Sequence, residues 1–136
     1  MSQYYNEDYT MADVSAILNR IQDCVRSDRF IISQNDRRLE NQALINEYNL
    51  SFSLIKNILL GIKPEDFCHS LRNRNPGYEN ETLYVFCPQV VLFDSGDEAT
   101  EVDLYTKFNI LNRSSGDHVV VISFHHLQRP IRYLFR

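Results

Sequence analysis

The chain has 136 residues, of which 43% are hydrophobic and 24% are charged, and its formal net charge is −4. This length and composition are typical of one globular domain with a single core, and they argue against a disordered chain. Three cysteines without paired spacing favour neither a disulfide framework nor a zinc ribbon, so we expect reduced, buried thiols. The start is polar and no apolar run is long enough to span a bilayer, which predicts a cytoplasmic protein outside the membrane.

The charge is distributed unevenly along the chain. Residues 76–117 contain two Lys or Arg and eight Asp or Glu, whereas residues 118–136 contain three Arg and no carboxylate. Residues 51–75 are also basic, with four Lys or Arg against two Asp or Glu. The protein as a whole repels a polyanion, but its two basic segments can converge on one face, and its acidic segment suits a basic partner protein.

The first elements are a helix and a strand. Residues 1–9 are expected to be a mobile start. A helix is then predicted from Thr10 to about Ser27, because apolar residues recur at helical spacing and Thr10 with Asp13 resembles a capping box. A short apolar run at residues 29–33 predicts a strand.

Three further helices are predicted before the sequence period changes from helical to extended. One covers residues 36–46, and the next is capped by Ser51 and ended by Gly61. Pro64, followed by two carboxylates, is placed to start a short third helix that runs through Phe67, Cys68, His69 and Leu71.

After a turn rich in Arg and Asn, the sequence period changes from helical to extended. Strands are predicted over residues 82–87, 90–93, 101–111 and 118–126. In the last strand, alternation places Ser123 and His125 on the face of Val119 and Val121, and His126 on the opposite face. We therefore expect a single α+β domain, with N-terminal helices packed on a mainly antiparallel β-sheet.

Several common enzyme classes have no motif in this chain. It contains no glycine-rich phosphate loop, no His-Glu-x-x-His pair and no Gly-x-Ser-x-Gly elbow. The histidines lack the spacing of a metal-ligand motif, so neither a metal site nor a cofactor is predicted.

Four short segments, in their order along the chain, resemble a known family. They are the helix that ends at Gly61, the pair Asp66-Phe67, the strand segment Leu104-Tyr-Thr-Lys107 and the pair Ser123-Phe124. From about Leu50 to His126 the chain resembles the MqsR-like family of toxins from toxin–antitoxin systems. The resemblance implies a RelE-like ribonuclease fold and an mRNA interferase, a metal-independent endoribonuclease that cleaves single-stranded RNA. The implied partners are RNA, a cognate antitoxin that keeps the enzyme silent and, if cleavage depends on it, the ribosome.

Taken residue by residue, the resemblance implies four catalytic positions. The family's basic residue that follows Asp-Phe by two positions corresponds to His69, and its strand tyrosine corresponds to Tyr105. The lysine two residues further on corresponds to Lys107, and a lysine directly after Ser-Phe corresponds to His125. A glutamine in a preceding strand of the family has no counterpart, since that position falls near residues 85–86.

These residue types suit metal-free RNA cleavage. The reaction needs deprotonation of the 2′-hydroxyl, stabilisation of charge on the phosphorane and protonation of the departing 5′-oxygen. We expect His125 and His69 to exchange these protons, Tyr105 to position the hydroxyl or phosphate, and Lys107 to stabilise charge. Tyr105 and Lys107 share a strand face, and antiparallel pairing with the last strand would bring His125 near them. The arginines expected to bind RNA are Arg72, Arg74, Arg129 and Arg132.

Each of these assignments has a structural alternative. His125 can cap a strand end, Lys107 can be a solvated strand residue, and the C-terminal arginines can form a solvated tail. For the whole chain, the alternative is a non-catalytic protein-binding module that keeps a toxin-like scaffold and holds a partner through the acidic residues 76–117. The missing glutamine and the negative net charge fit this second interpretation.

Overall fold

The computed structural model describes residues 4–34 and 38–136 of the chain. The helices in these residues are α1 (Met11–Arg26), α2 (Leu39–Glu47) and α3 (Phe52–Leu60), and the strands are β1 (Tyr5–Asn6), β2 (Phe30–Ile32), β3 (Phe67–Arg72), β4 (Thr82–Phe86), β5 (Gln89–Phe93), β6 (Ala99–Arg113) and β7 (Gly116–His126). The sheet order is β1-β3-β4-β6-β7-β2, and β5 pairs with β6. Among the described pairings, β2 lies parallel to β7 and the others are antiparallel. The predicted α+β class, with a mainly antiparallel sheet, is confirmed.

The caps of α1 and α3 confirm the predicted ends of these helices. Thr10 Oγ1 accepts the N–H of Asp13 at 3.1 Å, and the Asp13 carboxylate accepts the N–H of Thr10 at 2.9 Å. Ser51 caps α3 by accepting the N–H of Leu54 at 3.2 Å, and Gly61 is its C-cap. These side chains satisfy backbone donors that have no acceptor within the helix.

The other predicted elements lie close to the observed ones. α2 begins at Leu39, and the predicted start at residue 36 lies outside the described residues. The strands predicted over residues 29–33, 82–87, 90–93, 101–111 and 118–126 are β2, β4, β5, β6 and β7. β4 and β5 pair with successive parts of β6, so together they form one arm of a long hairpin that is interrupted at Pro88.

The main core lies between the sheet and the helices α1 and α3. Its largest fully buried side chains come from both layers and include Ile21, Leu59, Phe67, Phe86, Phe108 and Phe124. Burial of each such side chain stabilises the fold by about 1.5–3 kcal/mol. This core gives the strands β3, β4, β6 and β7 a fixed position.

A second, smaller apolar cluster lies on the opposite face of the sheet. Its buried members are Cys68, Leu71, Leu83, Val85 and Cys87. Leu127, Ile131 and Tyr133 of the C-terminal segment, residues 127–136, pack against it, whereas Leu134 and Phe135 pack against the main core. Tyr133 donates to the carbonyl of Cys87 at 2.7 Å, and Arg136 pairs with Asp66 at 2.7 Å. This segment is therefore attached to the sheet at its end. The three cysteines of the chain are free and buried, as predicted.

His69 lies on a strand, so the short helix predicted from Pro64 through Leu71 is wrong. The 3₁₀ turn Pro64–Asp66 leads directly into β3, which pairs with β1 on one side and β4 on the other. Both faces of β3 carry buried side chains, so its apolar residues do not alternate and their spacing mimics that of a helix. Pairing with two neighbours satisfies the backbone groups and favours the strand.

The start of the chain is attached to the sheet, whereas we expected a mobile segment. Tyr5 and Asn6 pair antiparallel with Leu71 and Ser70 of β3. The hydroxyl of Tyr9 donates to Ser70 Oγ at 2.8 Å. Residues 1–3, which belong to the same prediction, lie outside the described residues.

A β-bulge in β7 changes which of its side chains share a face. Lys107 of β6 pairs with Ser123, but the next residue, Phe108, pairs with Val121, so Ile122 is an extra residue. Val121 therefore faces the main core together with Phe108. Ser123 faces the opposite side together with Lys107.

The bulge overturns part of the predicted alternation. His125, two residues after Ser123, shares the face of Ser123 and not that of Val119 and Val121. The predicted common face of these four residues is therefore wrong. The predicted opposite orientation of His125 and His126 is confirmed, because no bulge lies between them.

Candidate active site

A polar cavity of about 400 Å³ lies on the face of the sheet opposite the main core. The four residues that the sequence predicted as catalytic, His69, Tyr105, Lys107 and His125, all line it. The other polar lining residues are Tyr5, Arg38, Glu40, Ser123, Gln128 and Arg129. The cavity is thus formed by β1, β3, β6, β7, the start of α2 and the C-terminal segment.

The pairing of β6 with β7 places two polar pairs side by side in this cavity. Tyr105 pairs with His125, and Lys107 pairs with Ser123. The rings of Tyr105 and His125 are stacked, with centroids 5.3 Å apart and planes inclined by 18°. The expected proximity of His125 to the polar face of β6 is therefore confirmed.

The side chain of Asn41, on α2, holds the end of β7 in place. Beyond the end of β2, Asn41 accepts the N–H of Phe124 at 2.8 Å and donates to the carbonyls of Ile122 and Ser33, both at 2.9 Å. The side chain is completely buried, and it satisfies backbone groups of β7 at the bulge residue Ile122 and just after it. α2 therefore fixes the part of β7 that carries His125.

One ring nitrogen of His125 is occupied by a backbone contact. Nδ1 lies 2.8 Å from the carbonyl oxygen of His126, and because a carbonyl only accepts, Nδ1 carries a proton. Nε2 is then the nitrogen that gains and loses a proton, and it faces Glu40 Oε2 at 3.9 Å. With 8% of its surface exposed, His125 can serve as a general acid or base through Nε2.

Burial shifts the ionisation of both polar residues on β6. It raises the pKa of Tyr105 far above its usual value, so the hydroxyl stays protonated and can donate a hydrogen bond. Burial also lowers the pKa of Lys107, and the nearby Arg38 guanidinium adds to this effect. The ammonium of Lys107 is therefore less stable here than in water, and an anion bound beside it would stabilise it.

His69 lies at the far end of the cavity from His125. It pairs with Val85 of β4, which in turn pairs with Lys107 of β6. Three strand spacings, about 14 Å, therefore separate the backbones of His69 and His125. The ring of His69 meets that of Tyr5 edge to face, with centroids 5.0 Å apart, and burial lowers the pKa of His69. The two histidines share one cavity but are not adjacent.

Of the four arginines predicted to bind RNA, Arg129 alone lines this cavity in the described part of the chain. The guanidinium of Arg74 lies over the ring of Tyr4, 3.5 Å from its centroid. The side chain of Arg132 is 84% exposed and lies 3.9 Å from a carboxylate at the start of the chain. Arg72 lines a separate cavity on the other face of the sheet. The structure therefore does not gather the four arginines at one place.

The structure adds Arg38, Glu40 and Tyr5 to the site, and the sequence analysis selected none of them. Arg38 is the N-cap of α2, and Glu40 lies in its first turn. Charges at the start of a surface helix are so common that these two gave no usable signal. Tyr5 fell within the expected mobile start, where an aromatic residue in a polar stretch was the only indication.

No group of three or more His, Cys, Asp or Glu side chains that could hold a metal ion occurs among residues 4–34 and 38–136. No helix in these residues is long and apolar enough to cross a membrane. Comparisons of the chain with protein-family models, with curated proteins and with solved structures found no match. The geometry of the cavity is thus the basis on which its chemistry can be judged.

Proposed function

We propose that this protein is a metal-independent endoribonuclease that cleaves single-stranded RNA in the manner of an mRNA interferase. Its fold would then be RelE-like and related to that of the MqsR-like toxins. One observation carries the proposal: His69, Tyr105, Lys107 and His125, from three different strands, line the same cavity. The cavity brings together a neutral phenol, a partly buried ammonium and an imidazole. A shared role in one reaction explains this grouping better than chance does.

The cavity contains the groups that cleavage through the 2′-hydroxyl of RNA requires. His125 transfers a proton through Nε2, and the hydroxyl of Tyr105 donates a hydrogen bond to a phosphate oxygen. The ammonium of Lys107 stabilises the negative charge that develops on the phosphorane, and its partial burial strengthens this attraction. Proton transfer and charge stabilisation are thus both supplied by side chains.

The surroundings of the cavity favour an unpaired RNA strand. Arg38 and Arg129 supply positive charge for phosphates, although the protein as a whole carries a net charge of −4. At the other end, the rings of Tyr5 and His69 offer a surface on which a base can stack. A base is accessible for such stacking when it is not paired in a duplex.

Cleavage of an unstructured fluorescent RNA by the purified protein, in the presence of EDTA, tests this proposal. We expect His125→Ala to lower the cleavage rate by about 10²–10⁴-fold, the usual contribution of a general acid or base. His126→Ala is the matched control, because His126 Nε2 binds Glu47 at 2.9 Å on the opposite face and we expect this variant to remain active. Circular dichroism shows whether both variants are folded. Intact RNA, with and without ribosomes, contradicts the proposal.

A second candidate function, a non-catalytic binding module, is favoured by a different surface. β5 and the first part of β6 form a two-stranded ribbon, residues 89–103, with five Asp or Glu and no Lys or Arg. Val91 and Phe93 are exposed on this ribbon. An acidic surface with exposed apolar side chains suits a basic partner protein.

Controlled expression in a host cell separates the two functions. Growth arrest that disappears with His125→Ala favours RNA cleavage, because this change leaves the acidic ribbon intact. Growth arrest that persists with His125→Ala favours the binding module. Relief of arrest by the product of a small neighbouring reading frame would identify an antitoxin.

A further inference from the structure

Glu40 is the one carboxylate that lines the cavity in the described part of the chain. It lies in the first turn of α2, and its side chain is 46% exposed. Its Oε2 atom is 3.9 Å from Nε2 of His125, which is too far for a direct hydrogen bond. Both atoms therefore remain available to a molecule bound in the cavity.

We propose that Glu40 is the general base and His125 the general acid of RNA cleavage. This inference rests on the proposed ribonuclease function, and it replaces the exchange of protons between His125 and His69. A base and an acid that serve one phosphodiester act on two oxygens of the same phosphorus. Glu40 is close enough to His125 to do so, whereas about 14 Å of sheet separates the backbones of His69 and His125.

The backbone contact of His125 determines which role it takes. Its Nδ1–H donates to the carbonyl of His126 both before and after the ring loses its second proton. Because Nδ1 keeps its proton in this contact, the proton that the imidazolium can release is on Nε2. Nε2–H can therefore protonate a leaving oxygen, while the carboxylate of Glu40, which has no proton to give, accepts one.

The reaction then proceeds with a complete balance of protons and bonds. The 2′-hydroxyl transfers its proton to the Glu40 carboxylate while the 2′-oxygen forms a bond to phosphorus. The bond between phosphorus and the 5′-oxygen breaks, and this oxygen takes the proton from Nε2 of His125. The products carry a 2′,3′-cyclic phosphate and a 5′-hydroxyl. The proton on Glu40 then returns to His125 through one water, because their reacting atoms are 3.9 Å apart.

Charged and titratable groups from four other parts of the cavity face this pair. They are Arg38 at the start of α2, Tyr105 and Lys107 on β6, and Arg129 in the C-terminal segment, with His69 on β3 and Tyr5 on β1 at the far end of the cavity. Tyr105 stays protonated because burial raises its pKa. The expected pH profile of kcat/KM is a bell, because the reaction requires an unprotonated base and a protonated acid at the same time.

The test is the pH profile of kcat/KM for a fluorescent single-stranded RNA, measured with wild-type protein and single variants. We expect Glu40→Gln to lower kcat/KM by about 10²–10⁴-fold at the optimum and to remove the acidic limb of the bell. Glu47→Gln is the matched control on the same helix, since Glu47 binds His126 on the opposite face, and it should keep both activity and profile. We expect His69→Gln to keep the bell shape. A Glu40→Gln variant that retains the acidic limb overturns the inference and leaves the ribonuclease function standing. Wild-type protein that does not cleave RNA overturns both.

A substrate with sulfur in place of the 5′-oxygen separates the base from the acid, because a thiolate leaves without protonation. We expect this substrate to restore most of the activity of His125→Ala and to leave Glu40→Gln inactive. Recovery of Glu40→Gln, with His125→Ala still inactive, would contradict the assigned roles. Thermal melting of all variants checks that lost activity does not reflect unfolding.

Discussion

Lys107 is a cation in a largely buried position, and burial works against its charge. Because burial and the nearby Arg38 lower the pKa of Lys107, the folded protein loses stability when the ammonium is charged at neutral pH. We predict that Lys107→Met raises the melting temperature at neutral pH and lowers kcat/KM for RNA by about 10²-fold or more. The stability gain should shrink as the pH approaches about 10.4, where lysine in the unfolded chain also loses its proton.

Lys63→Met is the control for this prediction, because Lys63 is exposed and its side chain does not line the cavity. This variant should change neither the melting temperature nor the cleavage rate appreciably. A Lys107→Met protein that melts below the wild type at neutral pH would show that the ammonium is stabilised where it lies. The charge of Lys107 would then be explained by its contribution to the stability of the fold and not by a role in RNA cleavage.

His69 should make the protein sensitive to acid. Burial lowers the pKa of His69, so below about pH 6.5 the unfolded chain binds a proton that the folded imidazole resists. Stability is therefore lost as the pH falls through this value, until the folded imidazole is protonated as well. We predict that the free energy of unfolding of His69→Gln, from urea denaturation, falls less between about pH 7 and pH 5 than that of the wild type. Equal losses for the two proteins would contradict this account.

At the scale of single residues, a local pattern predicts which way a strand side chain faces more readily than which side chain it contacts. It separated His125 from His126 because adjacent strand residues face opposite sides. It placed His125 with Val121 because a bulge leaves no clear mark in a run of β-branched residues. Glu40, the nearest carboxylate to His125, lies 85 positions away in the chain, and no local pattern indicates such a contact.

At the scale of elements, α2 and β7 depend on one side chain. Asn41 makes three hydrogen bonds where β2 no longer pairs with β7, so its loss leaves the carbonyl of Ile122 and the N–H of Phe124 without their partner. We predict that Asn41→Leu lowers the free energy of unfolding by about 2–4 kcal/mol and lowers RNA cleavage, since His125 follows directly on β7. Chemical denaturation and cleavage assays measure the two effects.

Asn46→Leu, on the exposed surface of the same helix, is the matched control for Asn41→Leu. The side chain of Asn46 accepts one hydrogen bond, from Gln42. Its replacement should change the free energy of unfolding by less than about 0.5 kcal/mol. Similar losses from the two substitutions would mean that the contact of Asn41 with β7 is not what stabilises this region.

Sequence patterns predicted most elements and failed where both faces of a strand are buried. The ends of α1 and α3 followed from Thr10, Ser51 and Gly61, whose side chains or conformations act locally. β3 was predicted as a helix because its two buried faces remove the alternation that marks a strand. Its identity is decided by β1 and β4, which come from other parts of the chain. The apolar stripes of the helices predicted that the helices pack on one face of the sheet. They did not predict that the C-terminal segment packs on the other face.

At the scale of the whole molecule, one face of the sheet forms the main core and the other face forms the polar cavity. One face packs against α1 and α3, and the other carries the cavity and the C-terminal segment. The ion pair between Arg136 and Asp66, at 2.7 Å, anchors this segment through residues that are 70 positions apart. The structural alternative of a solvated tail therefore does not hold for Arg136. Because the C-terminal segment is held in place, its Arg129 lines the cavity, although the protein as a whole is acidic.

The central claim is that this cavity cleaves RNA through its 2′-hydroxyl with side chains alone. Mass spectrometry of the ends formed in EDTA, from an RNA and from the same RNA with one 2′-deoxy nucleotide at the cleaved position, tests it most directly. We predict 2′,3′-cyclic phosphate and 5′-hydroxyl ends, no cut at the deoxy position, and loss of these products with His125→Ala. Cleavage at the deoxy position, 5′-phosphate ends or uncut RNA would contradict it.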